Sequence, residues 1–214
     1  MAHFSGHTVK TKFKVSLELL AACFSTLLLV GCAGTGDHTA LELRAVMPDA
    51  QPAKAARELT VAVAAFEDAS PRKERLGSRS HLWGSVSYFD LAGGKLGEAM
   101  AKLVGDYLKN RGWRVVNADS PAQVTISGKI LELSVDAKSS FGSTDLTAAA
   151  MTTMEAVNAT DGSTIRMTLT GKGAQDVFWF DPMDAQMLLG KTVSESLEEL
   201  IASTKVEDNV IRLK

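Results

Sequence analysis

The chain has 214 residues, 45% of them hydrophobic, and a formal net charge of −2. That length and apolar content suit one domain with an ordinary buried core behind any targeting segment. The weakly acidic balance, with no long basic run, excludes nucleic acid as a principal partner.

Residues 1–31 read as a signal peptide and are set aside before the fold is considered. A polar stretch carrying Lys10, Lys12 and Lys14 and no acid leads into an apolar run over 15–30, interrupted by Ser16, Glu18, Ser25 and Thr26. Sixteen residues at 1.5 Å rise fall short of the ~20 that a spanning helix needs. A Glu18 carboxylate at mid-bilayer would cost a few kcal/mol more. The run ends in Leu29-Val30-Gly31-Cys32, followed by Ala33. This tetrapeptide resembles the lipobox of bacterial lipoproteins. The resemblance implies cleavage before Cys32, with Leu29, Val30 and Gly31 read by the peptidase, and diacylation of the Cys32 thiol. Ala33 rather than an acid after the cysteine resembles the outer-membrane sorting pattern, which places the chain on the periplasmic face of that membrane.

Cysteine count agrees with that reading. Cys23 and Cys32 are the two cysteines of the chain; Cys23 leaves with the signal peptide, so the mature chain forms no internal disulfide. Acylation gives the remaining thiol a use, and two acyl chains give stable anchoring at about 0.8 kcal/mol per buried methylene. Removing residues 1–31 leaves 20 basic and 24 acidic residues, a formal charge of −4.

Residues 32–58 are rich in Ala, Gly and Pro and read as a flexible lipidated tether, with a short ordered piece at Leu41-Glu42-Leu43. A flexible segment of that size reaches roughly 25–30 Å. A single periplasmic domain is expected over 59–214. Its first strand covers 59–66 (LTVAVAAF), apolar enough to be buried on both faces. Residues 67–94 show no helix, and so long a connection is functional or hides structure. Within it 82–89 (LWGSVSYF) alternates as a strand with Leu82, Val86 and Tyr88 on one face.

Residues 95–111 form the clearest helix, with Leu96, Met100, Leu103, Val104, Tyr107 and Leu108 on one stripe. Gly112 stands at its left-handed C′ position, and Trp113 to Val116 return alongside the first strand. A strand over 124–137 changes phase between Ile130 and Leu131, as a bulge requires. A second strand, 146–157, turns through Asn158-Ala159-Thr160-Asp161-Gly162 into a third, 163–178, with Ile165, Met167 and Leu169 inward. The last helix opens with an Asp181 N-cap and Pro182 at its first position. Its buried stripe is Leu189, Val193, Leu197, Leu200 and Ile201. A weakly alternating tail over 206–213 adds an edge strand. The fold class is α+β: a mixed or mostly antiparallel sheet with two main helices packed on one face, behind the tether.

Several landmarks together resemble the YajG-type family of uncharacterised bacterial lipoproteins. They are Phe66-Glu67-Asp68 after the first strand, Asn110-Arg111-Gly112-Trp113 at the helix end, Val124-Thr125-Ile126, the Asn158 to Gly162 turn, and Thr204-Lys205-Val206-Glu207. The resemblance covers residues 59–208. It implies a fold and an envelope location and carries over no site, and the charged insert at 70–94 departs from the family pattern.

Catalytic signatures are missing. His38 and His81 are the histidines outside residues 1–31, no nucleophile elbow or metal-ligand spacing occurs, and neither a metal nor a cofactor is expected. Gly93-Gly94-Lys95-Leu96-Gly97 reads as a turn and helix entry, because a phosphate loop needs Ser or Thr after its lysine. Residues 71–81 hold the densest positive charge. Arg72, Lys73, Arg75 and Arg79, with Trp83 beside them, are the candidate contact for anionic groups or for a partner's acidic face; a solvated loop is the alternative. Phe178-Trp179-Phe180 is expected to pack into the core at the strand–helix junction, with a partner-binding aromatic patch as the alternative. Glu67, Asp68 and Asp90 would form an acid/base or cation site only if a cleft gathered them. The expected function is a non-enzymatic binding or assembly module of the cell envelope, held on the membrane through lipid on Cys32 and contacting an envelope protein or anionic envelope component. An accessory subunit of an envelope lipid or polysaccharide transporter is the alternative, and an envelope hydrolase a remote one.

Overall fold

The computed structural model describes residues 36–47, 59–73 and 75–214. The expected signal peptide, Leu29, Val30, Gly31 and Cys32 lie outside them. In chain order the elements are β1 (His38–Leu41), β2 (Thr60–Val63), β3 (Glu67–Asp68), β4 (Gly77–Ser80), β5 (Val86–Leu91), α1 (Leu96–Asn110) and β6 (Arg114–Val116). Then come β7 (Val124–Ser140), β8 (Ser143–Asn158), β9 (Thr164–Val177), α2 (Pro182–Ser203), β10 (Thr204–Glu207) and β11 (Val210–Leu213).

β7 organises the sheet. Along one edge it pairs antiparallel with β8 from Val124↔Asn158 to Ser140↔Ser143, and β8 pairs antiparallel with β9. Along its other edge it takes three short strands in parallel, one after another: β2 at Val124 to Ile126, β3 at Lys129 and Ile130, and β4 at Val135 to Lys138. β6 extends the sheet beyond β2, and β5 and β1 extend it beyond β4. The register of β7 against β8 shifts between Ile130 and Glu132, so the sequence's change of phase is a bulge. The sheet is mixed and both helices lie against it, which is the expected α+β class.

The core lies between the helices and one face of the sheet. β8 buries alternate residues, Leu146, Ala148, Ala150, Met154 and Ala156 among them, as a strand with one covered face must. α1 buries Met100, Leu103, Val104, Tyr107 and Leu108, which is the predicted stripe, and Gly112 follows it at φ +88°. α2 begins with a complete capping box: the Asp181 carboxylate accepts from the Met183 N–H, and Asp184 accepts from the Asp181 N–H. Gly171 and Gly173 of β9 let α2 approach closely, for a Cβ on either would stand 2.4 Å from an oxygen of Thr192.

Four expectations are corrected. First, part of the presumed tether is folded. β1 pairs parallel with β5, and residues 42–47 run along α2. The Glu42 N–H donates to Gln186 Oε1 at 2.8 Å and the Val46 N–H to Ser194 Oγ at 3.0 Å. A Cβ on Gly190 would lie 2.2 Å from the Arg44 carbonyl oxygen. Positions 186, 190 and 194 share one helix face, so this segment is packed along its length, and Leu41 and Leu43 are buried. Second, the insert at 67–94 hides β3, β4 and β5; β4 and β5 form a hairpin. Third, the strand expected over 82–89 begins only at Val86: Val86 and Tyr88 share a face as expected, with Ser87 and Phe89 buried on the other, whereas Leu82 lies outside the strand and is exposed. Fourth, the tail 206–213 joins no edge of the main sheet. β10 and β11 form their own two-stranded sheet, fixed to the β8–β9 turn where Asn158 Oδ1 accepts from the Ile211 N–H at 2.8 Å.

Candidate functional site

The β4–β5 hairpin places the expected cationic residues. Its strands pair Ser78 with Tyr88, and β4 pairs Ser78 with Asp136 of β7. Period-two alternation therefore puts Ser78, Tyr88 and Asp136 on the sheet face opposite the helices. Just before β4 the chain crosses this face, and Arg72, Lys73 and Arg75 gather around it. With Pro71, Gly77, Ser78 and Tyr88 they line a cleft of about 600 Å³. A smaller depression of about 280 Å³ adjoins it, sharing Arg72, Lys73 and Arg75 and adding Asp90 and Leu96.

Each cation is held differently. Arg72 donates to Asp136 Oδ2 at 3.0 Å, and Asp136 Oδ1 also accepts from the Ser78 N–H and hydroxyl. The Arg75 guanidinium lies 3.8 Å over the Tyr88 ring, a cation–π contact that leaves its N–H groups available. Lys73 has no ion-pair partner among the described residues. Among the described residues the cleft thus presents three cations against one tied carboxylate, on a floor made by Tyr88. Beside Tyr88, His38 Nδ1 bonds Asp90 Oδ2 at 2.6 Å.

The remaining candidates do not join this cluster. Arg79 points to the helix side, where its guanidinium lies 4.2 Å over Phe180 and its Nε donates to Ser139 Oγ. Burial lowers its pKa, yet a guanidinium stays charged at neutral pH. Trp83 stands at the tip of the β4–β5 turn, 92% exposed. His81 Nε2 lies 3.0 Å from Ser87 Oγ. Burial and the charge of Arg79 hold its pKa below the usual histidine value against the pull of Asp37, so it is neutral at pH 7. The three acids do not converge: Glu67 pairs with Lys129, Asp68 accepts from Ser70, and Asp90 meets His38. Among the described residues no group of three or more His, Cys, Asp or Glu side chains could hold a metal ion.

The expected packing of Phe178-Trp179-Phe180 holds for Phe180 alone, which stacks on Phe89 with ring centroids 5.9 Å apart. Phe178 and Trp179 are 71% and 82% exposed, because the chain leaves the sheet at Val177 before turning into α2. A third depression, of about 630 Å³, lies between residues 42–45 and α1. Its lining carries three cations and two carboxylates, and each is already engaged: Arg44 pairs with Glu42, and Lys102 and Lys109 both lie against Asp106.

No family model and no curated protein matches the chain. Solved structures similar to it include a Xanthomonas campestris protein of family DUF330, at 11% identity over 77% of this chain and 92% of that one, with a TM-score of 0.48. Lipoprotein GNA1162 from Neisseria meningitidis is 10% identical over 68% and 99%, TM-score 0.37. The PelC dodecamer from Paraburkholderia phytofirmans is 14% identical over 68% and 91%, TM-score 0.33. Likenesses this slight leave the family open and carry no argument about the site. Among the described residues no helix is long and apolar enough to cross a membrane.

Sequence reasoning misses Asp136 and gives Tyr88 only as an aromatic bordering the basic loop. Asp136 lies 64 residues from Arg72, and only the parallel pairing of β4 with β7 joins them. The one available signal was the alternation through Tyr88, which fixes a face without saying what covers it.

Proposed function

We propose that this chain is a lipid-anchored, periplasm-facing binding module of the bacterial envelope, without enzymatic activity. It contacts an anionic group of an envelope component through Arg72, Lys73 and Arg75. The observation that carries the reading is the gathering of these three cations around one cleft above Tyr88, on a sheet face that neither helix covers. Anchoring rests on the lipobox-like Leu29-Val30-Gly31-Cys32, and the YajG-type landmarks over 59–208 fit an envelope location. The outer membrane is favoured by Ala33.

The test is photocrosslinking in intact cells from a probe at Lys73, with a probe at Arg166 on β9 as control. An anionic envelope molecule or acidic protein surface captured from Lys73 alone, and lost in an Arg72→Ser/Arg75→Ser variant, supports the reading. Capture unchanged by those substitutions sinks it.

A further inference from the structure

We infer that the sheet end carrying Trp83, Phe141, Phe178 and Trp179 docks onto the phospholipid bilayer. The inference rests on the lipid-anchor reading of Cys32 and deepens it by saying which part of the domain faces the membrane.

The register places these four residues together. Val86 opposes Ser80, and Ser80 opposes Lys138, so the β4–β5 turn bearing Trp83 lies at the same end as the β7–β8 turn bearing Phe141. Thr144 opposes Val177, which puts Phe178 and Trp179 there too. Across five strands spaced at ~4.8 Å the row spans roughly 20 Å. Exposure is 92% for Trp83, 96% for Phe141, 71% for Phe178 and 82% for Trp179. Large aromatics this exposed, on separate turns but along one rim, mark an interaction surface.

The occupant follows from where the chain enters. The Gly36 N–H donates to the Val86 carbonyl oxygen at 2.7 Å, so β1 starts at this same end of the sheet. Cys32 precedes Gly36 by four residues, which extend at most about 14 Å. Since residues 36–47 are folded, no long tether intervenes. A bilayer holding acyl chains on Cys32 therefore stays within that distance of Gly36, which lies beside the Trp83 end of the aromatic rim. Trp and Phe side chains partition favourably into the interfacial zone of a bilayer. Lys138, Asp145 and Asp176 lie two or three residues up the strands from the tips. Their charge limits docking to a shallow depth and removes any need for anionic lipid.

Lipidated full-length protein, processed in cells and purified, would be reconstituted into phosphatidylcholine vesicles. Trp113 is buried and supplies a constant background to the other two tryptophans, Trp83 and Trp179. Docking is expected to shift tryptophan emission to the blue, to allow quenching by lipids brominated near the glycerol, and to cut iodide quenching severalfold. A Phe141→Ser/Phe178→Ser variant should stay vesicle-bound yet lose much of that protection; both side chains are exposed, so the fold is not at risk. Acylated protein whose tryptophans remain open to iodide overturns the docking and leaves the anchor standing. Protection that exists before lipid is added and grows with protein concentration means a second copy covers the rim, which also overturns it. A mass spectrum showing no acyl groups on the Cys32 peptide removes the anchor and the docking with it.

Discussion

At Gly190 a hydrogen atom decides whether two segments can touch. A Cβ there would sit 2.2 Å from the Arg44 carbonyl oxygen and 3.3 Å from Val46 Cγ2, and backbone cannot swing away as a side-chain tip can. Gly190→Ala should lift residues 42–47 off α2 at a cost of about 1–3 kcal/mol, against the usual helix-propensity gain of about 1 kcal/mol for that substitution. Urea unfolding measures the net change, and limited proteolysis reads the lifting directly. An equally stable, equally protected variant would show that the close approach does not hold the segment. A second residue-scale case joins the helices, where Glu198 accepts from the Tyr107 hydroxyl and pairs with the buried Arg111. Glu198→Ala should cost about 2–3 kcal/mol, because a buried guanidinium loses its carboxylate. Tyr107 adds a pH dependence. Burial raises its phenol above the ordinary value of 10.0, with Arg111 opposing. A raised folded-state pKa means the unfolded chain releases this proton first. The stabilisation is complete below about pH 10 and is lost as pH rises through the folded value. Urea midpoints between pH 9 and 11 should fall less steeply in Tyr107→Phe than in the parent.

At the scale of elements, legibility followed length and local chemistry. The two helices could be read because each carries its own stripe and its own stop signals: Gly112 after α1, Asp181-Pro182 before α2. β7, β8 and β9 are long enough for alternation to show, and the bulge appeared as a change of phase at Leu131. β4 (GSRS) could not be read, since none of its residues is apolar and its partners lie on β5 and β7. β5 alternates correctly, but alternation alone does not say which face is inward, and Phe89 rather than Tyr88 meets the helix side through Phe180. The cleft shares this fate: its cations were visible as a dense run, while Tyr88 and Asp136 reach them only through pairing between distant strands. The capping box at α2 allows a test at this scale. Asp181→Ala removes the acceptor for the Met183 N–H and half of a reciprocal pair, which should lower stability by about 1 kcal/mol. Thermal melting detects it, and an unchanged midpoint would mean that packing alone sets the start of the helix.

For the whole molecule, the consequential feature is that residues 36–47 belong to the fold although they precede its first apolar strand. Sequence reading missed this because β1 is HTAL, four residues with one large apolar side chain, and its pairing partner β5 begins 48 residues after it. The segment does two jobs. It covers the outer edge of β5, and it lays Leu41 and Leu43 into the core against α2. A chain beginning at residue 48 should therefore lose the burial of two leucines, worth about 1.5–3 kcal/mol each, which is a large share of the 5–15 kcal/mol typical of a domain. It also bares a strand edge open to pairing with other chains. The expected outcome is a urea midpoint well below that of a chain beginning at residue 36, with concentration-dependent aggregation on mild heating. Were residues 36–47 only a spacer, the two chains would unfold together, and the short distance from Cys32 to the aromatic rim would lose its basis. Equal midpoints would therefore count against the folded segment and against the membrane-facing orientation alike.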